Sequence, residues 1–195
     1  LGELGKLLPQ DARRVVGVLL EAAEDLDEAL EVRRRAVEAL GPASSPQVRQ
    51  LIRDSYESAD DSFRESALSA MGRSRDDEWL PLILDGIESP SPALRFEGAK
   101  AAGELASEEA VPSLIPLTDD PDPDVQWAAV NALGAIGGAE SLEALSQCLA
   151  HPDSHVQEAA RDALAQIQTE QDPTHLMRDG LLAGDGDFDE DDEDP

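Results

Sequence analysis

The sequence predicts an all-α solenoid of about five stacked helical hairpins, and three observations support this fold class. An apolar residue returns every 31 residues, at Val32, Phe63, Leu94, Val125 and Val156. A period of this length is typical of stacked repeat units. Apolar or small residues follow each of them four, seven and eight positions later, and those offsets mark one face of an α-helix. No stretch shows the alternation expected of a strand.

Capping signals define this helix, which we call the second helix of each hairpin. Three positions before the apolar residue stand good N-cap residues, at Asp60, Ser91, Asp122 and Asp153. Pro92 and Pro123 follow at the first helical position, where a missing N–H costs nothing. Glycines break the pattern at the other end and are predicted to cap the helix, at Gly41, Gly72, Gly103 and Gly134.

A less regular first helix precedes each second helix. Its most constant apolar positions are Ile52, Ile83, Leu114 and Leu145. Pro81 and Pro112 fit a first-turn position. Thr118 interrupts the next apolar position, and Leu117 is expected to compensate. The predicted helix pairs are 11–25 with 31–41, 46–57 with 62–72, 77–88 with 93–104, 108–118 with 124–136, and 139–150 with 155–168.

The two ends of the chain differ from the central repeats. The first residues, LGELGK, are similar to LGAIGG at 133–138, so we expect residues 1–168 to be a fragment of a longer array. From Thr169 onward the repeat is absent. Residues 184–195 hold eight acidic residues and no basic one, which favours a disordered tail over 169–195. The short apolar stretch around Leu176 and Leu181 could dock as a final helix or act as a linear motif.

Charge and composition limit the partners. The formal net charge is −28, which repels nucleic acid and anionic membranes. A protein or peptide partner is expected, a basic one in particular. Cys148 is the single cysteine, so no internal disulfide can form. The apolar runs are too short to span a bilayer, and no signal-peptide pattern is found. We expect a cytoplasmic monomer.

The pattern D-x-x-V-R-x-x-A-x-x-A-L-G resembles HEAT repeats, in the short bacterial form also called phycobilisome-lyase-like repeats. It is clearest in DPDPDVQWAAVNALGAIG and SPALRFEGAKAAGELA, and the resemblance extends from Leu1 to about Gln168. It implies a right-handed α-α superhelix of the HEAT/armadillo type, in which the second helices line a concave groove. HEAT arrays are mostly protein-binding scaffolds, so the resemblance implies a non-catalytic scaffold.

Enzymes with a similar architecture supply the main alternatives. Deoxyhypusine hydroxylases bind two irons through His-Glu pairs in this helix, but no histidine stands at those positions here, and only Glu97 matches as the second member of a pair. Bilin lyases suggest a lyase-like or regulatory protein acting on a tetrapyrrole protein, although no residue pattern here indicates tetrapyrrole binding. A purely structural module of a larger chain is a third possibility. We expect no catalytic residue and no cofactor.

Three side chains near the last turn have spacings seen in metal sites. They are Cys148, His151 and His155. The repeat gives a simpler interpretation, because both histidines fall at positions that are polar turn residues elsewhere, and a lone Cys is usually a small buried hydrophobe. The acidic tail lacks the Gly and Glu that a calcium-binding EF-hand loop requires. The sequence therefore predicts no metal site.

The predicted binding surface lies opposite the packing face of the second helices. Phe96 and Trp127 occupy the same position in adjacent repeats, so they are expected about 8–10 Å apart. They either anchor a peptide or helix, or pack along the groove against neighbouring hairpins. The predicted protein-binding residues are Phe96, Trp127, Lys100, Asn131, Arg64 and Arg95.

Overall fold

The computed structural model describes residues 9–171, and these residues form a solenoid of helical hairpins that contains no strand. The helices are α1 (Pro9–Glu24), α2 (Leu30–Leu40), α3 (Pro46–Tyr56), α4 (Asp61–Ser74), α5 (Leu80–Ile87), α6 (Pro92–Leu105), α7 (Val111–Leu114), α8 (Pro123–Ile136), α9 (Gly138–Cys148) and α10 (Ser154–Gln171). The second helices α2, α4, α6, α8 and α10 pack side by side in that order, and each also packs against its own first helix. The predicted fold class is confirmed.

The chain termini lie mostly beyond this part. The expectations for LGELGK at the beginning and for the acidic residues after Gln171 fall outside the described residues. Helix α10 ends at Gln171, three residues beyond the predicted repeat boundary at 168.

The predicted helix starts are confirmed by hydrogen bonds. Asp60 accepts from the N–H of Ser62, and Asp122 accepts from Asp124 and Val125. Asp153 accepts from the N–H of His155 at 2.8 Å. Ser91 stands at the N-cap of α6, but its side chain makes no capping bond. Helices α6 and α8 begin at Pro92 and Pro123, as expected.

The prediction that glycines end the second helices is wrong at three positions. Gly72, Gly103 and Gly134 lie inside helices α4, α6 and α8, and only Gly41 follows its helix directly. Helices α4 and α6 instead end at residues with left-handed backbone, Arg75 (φ 53°) and Ala106 (φ 58°).

The glycines are required by close packing between successive second helices. A Cβ at Gly41 would lie 2.5 Å from the carbonyl oxygen of Ala70, and one at Gly103 would lie 2.9 Å from the Cα of Ala132. The same contact recurs where Gly72 meets Ala101 and Gly134 meets Ala163. Because the nearest atoms are mostly backbone atoms or a Cβ next to the backbone, they cannot move aside as a flexible side chain would.

The first helix of the fourth hairpin is interrupted. Helix α7 has four residues and is flanked by 3-10 turns over Glu108–Ala110 and Ile115–Asp119, where a helix over 108–118 was predicted. Pro116 has no N–H to continue the α-helical bonding. Leu117 is buried as expected, while the buried Thr118 hydroxyl donates to the carbonyl of Ile115 at 2.9 Å.

We expect Gly103→Ala to lower the free energy of unfolding by about 1–3 kcal/mol, because the new methyl group overlaps Ala132. Gly17→Ala is the matched control, since Gly17 lies inside α1 and a Cβ there would meet nothing within 4 Å. The control should be neutral or more stable by up to about 1 kcal/mol. Urea unfolding of both variants measures this difference. Equal stability of the two variants would rule out the packing role of Gly103.

Candidate functional site

Two rows of side chains run along the outward side of the second helices, which we call the second-helix face. The packing side of each helix is buried, as at Leu94, Ala101 and Val125. Positions two and six residues after the first apolar residue lie on the opposite side. The first row is Arg34, Glu65, Phe96, Trp127 and Glu158, and the second row is Glu38, Ser69, Lys100, Asn131 and Asp162.

The two aromatic residues of the first row have different environments. Phe96 is partly buried and packs against the core, with the Nζ of Lys100 5.8 Å from its ring centroid. Glu97 holds that ammonium at 2.9 and 3.1 Å. Trp127 is 54% exposed, and its backbone carbonyl accepts a hydrogen bond from the Asn131 amide at 2.7 Å. Phe96 therefore packs against the core, whereas the ring of Trp127 is exposed and free to anchor a peptide or helix.

On the N-terminal part of the second-helix face, the polar side chains form hydrogen bonds and ion pairs with other residues of the chain. The Nε of Arg34 donates to the carbonyl of Ser62 at 2.8 Å, and its guanidinium lies 3.5 Å from Glu65. The hydroxyl of Ser66 donates to Glu38 at 3.0 Å. Burial raises the pKa of Glu65, and the charge of Arg34 opposes that rise. These groups join neighbouring hairpins to one another.

Glu104 has features of a functional residue, but the sequence pattern does not identify it as one. Its Oε2 is buried and has no hydrogen-bond partner among the described residues. Burial raises the pKa of this carboxyl, while the charges of Lys100 and Arg73 oppose the rise. Because no pattern in the repeat marks this position, only the packed structure reveals it.

The predicted residues Arg64 and Arg95 use their guanidinium groups within the chain. Arg64 stacks over the ring of Tyr56 at 5.4 Å and pairs with Asp61. Arg95 donates to both carboxylate oxygens of Asp120, at 2.8 and 2.9 Å, and to two backbone carbonyls. The structure therefore places these two arginine side chains in contacts within and between hairpins.

The side chains near the last turn also make structural contacts. The N–H of Asp153 donates to the Nδ1 of His151, whose Nε2 lies 3.0 Å from Asp119. Burial raises the pKa of the Cys148 thiol. Among residues 9–171 no cluster of three or more His, Cys, Asp or Glu side chains could hold a metal ion. Nor does this part of the chain include a helix long and apolar enough to cross a bilayer.

Comparison with known proteins places the chain in a family. A model of HEAT repeats matches residues 55–122 and 112–188, which is more than half of the chain. The chain belongs to the HEAT-repeat family. No curated protein sequence matches it. The interrupted Arg position of the repeat, with Gln126 and Gln157 in the last two hairpins, is therefore a variation within HEAT repeats.

Solved structures share this HEAT-like fold. The complex of CpcE and CpcF of phycocyanin lyase from Nostoc sp. PCC7120 has a TM-score of 0.63 and 24% identity, covering 88% of this chain and 71% of that chain. Human deoxyhypusine hydroxylase has a TM-score of 0.55 and 23% identity, covering 80% and 75%. A designed armadillo repeat protein in complex with the peptide (KR)4 has a TM-score of 0.55 and 19% identity, covering 83% and 84%. At these identities the likeness is one of fold.

We expect Arg95→Ala to cost about 3 kcal/mol, because it leaves the Asp120 carboxylate buried without its counter-charge. The Asp120 side chain is only 5% exposed. Replacing both residues with Leu should recover part of the loss, and Arg64→Ala, whose partner Asp61 is exposed, should cost no more than about 1 kcal/mol. Urea unfolding measures all three. A loss as small for Arg95→Ala as for Arg64→Ala would contradict the role of this ion pair.

The same pair predicts a pH dependence. Burial alone would raise the pKa of Asp120, but hydrogen bonds from Arg95 and the N–H of Asp122 lower it. The pair therefore stabilises the fold above the ordinary pKa of aspartate and stops doing so as the pH falls through the lowered value. The stability difference between the wild type and the double Leu variant should shrink on acidification below pH 4 or so.

We expect Cys148 in the folded protein to react slowly with iodoacetamide near pH 8, because the thiol is buried and its raised pKa leaves little thiolate. The urea-unfolded chain should react at least about tenfold faster. Mass spectrometry of timed samples gives both rates, and Cys148 is the single cysteine, so the assignment is direct. Rapid labelling of the folded chain would instead indicate an accessible, reactive thiol and contradict its burial.

Proposed function

We propose that this HEAT-repeat protein is a non-catalytic scaffold that binds another protein through a concave groove lined by its second helices. The observation that carries the proposal is the exposure of Trp127 on α8, the fourth of the five helices that form the second-helix face. Trp is large and apolar, and side chains of this kind supply much of the binding energy at protein interfaces. Phe96 and Lys100 on α6 and Asn131 on α8 would form its surroundings.

The chemistry of the neighbouring side chains supports binding rather than catalysis. The Lys100 ammonium is held by Glu97, and the Asn131 amide is bound to the backbone of its own helix. Both side chains already donate hydrogen bonds within the protein, whereas catalysis by a nucleophile needs a free side chain next to an oriented base. The Trp127 ring is available for contact. Arg64 and Arg95, in the first turns of α4 and α6, would support the groove through their contacts with Tyr56, Asp61 and Asp120.

The partner is a protein or peptide, and the net charge of −28 favours a basic one over nucleic acid or an anionic membrane. The designed armadillo repeat protein that holds the (KR)4 peptide gives an example of a similar fold with a basic partner. Action on a tetrapyrrole protein is the alternative, and the likeness to the CpcE and CpcF complex favours it at the level of fold only. We place the protein in the cytoplasm as a monomer.

The proposal predicts that Phe96→Ala combined with Trp127→Ala abolishes partner capture. Affinity capture from a native lysate, with mass spectrometry of the retained proteins, provides the measurement. Trp127→Ala alone should cost little stability because the ring is exposed, whereas the double variant should lose about 1–3 kcal/mol through Phe96. Leu149→Ala is the matched control, since Leu149 is a 40% exposed apolar residue at the end of the first helix α9. Undiminished capture by the double variant would sink the proposal.

A photo-crosslinker shows which face is used. Benzoylphenylalanine at Asn131 should form adducts with the captured protein, because that position lies beside Trp127. The same amino acid at the exposed Glu143, on the first helix α9, should form none. Adducts from Glu143 alone would place the partner on the other side of the solenoid and contradict the groove.

A further inference from the structure

Aromatic rings in this protein are regularly covered by cationic side chains. Four of the five aromatic residues in the described part of the chain lie under an Arg or a Lys. The pairs are Arg33 with Phe63 at 5.1 Å, Arg53 with Trp79 at 4.8 Å, Arg64 with Tyr56 at 5.4 Å and Lys100 with Phe96 at 5.8 Å. A cation over a ring face is attracted by the quadrupole of the ring. Among residues 9–171, Trp127 is the aromatic residue without such a cation, and it is also the most exposed one.

Cations are scarce in the part of the chain that carries Trp127, and Lys100 on the neighbouring helix α6 is held by Glu97. Residues 101–171 contain 13 Asp and Glu residues and a single basic residue, Arg161. The guanidinium of Arg161 donates to Gln157 on the same helix. By contrast, residues 9–100 contain 12 Arg and Lys residues against 19 acidic ones. The negative potential is therefore strongest in the half of the solenoid that holds the uncovered ring.

Two carboxylates are positioned to complete a cation site. Glu158 on α10 stands one repeat after Trp127 in the first row, and Asp162 follows one turn later in the second row. Because adjacent helices pack about 8–10 Å apart, we expect both carboxylates to reach a cation placed on the indole. Neither forms an ion pair within the described residues, and the same holds for Asp124 one turn before Trp127.

We propose that the second-helix face between α8 and α10 binds an arginine-bearing segment of the partner, with one guanidinium stacked on Trp127 and neutralised by Glu158 and Asp162. This inference rests on the proposed function and adds the chemistry of the partner. Arginine fits better than lysine, since its planar guanidinium stacks on a ring while its edge donates to carboxylates. A partner of this kind would supply the cation that the other four rings receive from their own chain.

The test uses the full-length protein and a fluorescein-labelled peptide in which Arg alternates with Gly. A second peptide carries citrulline, which is neutral and nearly isosteric, in place of each Arg. Fluorescence anisotropy at about 0.15 M salt should show binding of the Arg peptide and at least about tenfold weaker binding of the citrulline peptide. Trp127→Ala should weaken binding of the Arg peptide at least about tenfold.

Charge-matched variants separate a specific site from general acidity. Glu158→Gln with Asp162→Asn should also weaken the Arg peptide about tenfold. Glu140→Gln with Glu143→Gln removes the same charge from the exposed side of α9 and should change affinity by less than about threefold. Equal losses in the two pairs, an unaffected Trp127→Ala variant, or equal binding of the two peptides would each overturn the inference.

The outcomes also separate this inference from the proposed function. Asn131 could crosslink a captured protein while Trp127→Ala leaves the affinity for the Arg peptide unchanged. The groove would then bind proteins without recognising arginine, which supports the scaffold function and rules out the arginine site. If neither crosslinking nor peptide binding depends on Trp127, both fall together.

Discussion

The close contact between a glycine of one second helix and an alanine of the next determines how the rest of the solenoid is built. From Gly41 against Ala70 to Gly134 against Ala163, the contact recurs at every step of the stack, at positions 31 residues apart. At these contacts the backbones of two helices meet with no room for a further methyl group. They fix both the spacing and the register of adjacent helices, because backbone atoms cannot move aside. Equivalent positions therefore fall into continuous rows, and the second-helix face follows directly from that regularity.

The side chains in these two rows differ from hairpin to hairpin, and these differences determine what each part of the second-helix face can bind. Toward the N-terminus, Arg34 pairs with Glu65 and donates to the Ser62 carbonyl, and Glu38 accepts from Ser66, so this part of the surface is largely satisfied by contacts between hairpins. Toward the C-terminus Arg161 is the single Arg or Lys within residues 101–171, Trp127 is exposed, and Glu158 and Asp162 form no ion pair within the described residues. The regular scaffold is thus paired with a locally incomplete surface, which is the arrangement expected of a binding protein whose fold does not depend on its partner.

The sequence predicts the helices closely because the repeat supplies five independent readings of each position. Its errors occur where one residue type has two physical uses. A glycine near a helix end can cap it or permit close packing, and only the neighbour Ala101 shows that Gly72 does the second. Pro116 interrupts a helix that the apolar positions and Pro112 predict to continue to residue 118. Phe96 and Trp127 share one position in the repeat, but Lys100 covers only the former; the four-residue spacing of Phe96 and Lys100 was the available signal.

The central claim is that a partner covers Trp127, and acrylamide quenching of tryptophan fluorescence tests it most directly. The chain has two tryptophans, and Trp79 is buried, so the accessible emission belongs to Trp127. Saturating the full-length protein with the Arg peptide should lower the quenching constant to that of the Trp127→Phe variant, in which only Trp79 emits. Unchanged quenching at saturation would mean that the peptide binds elsewhere and would contradict the account.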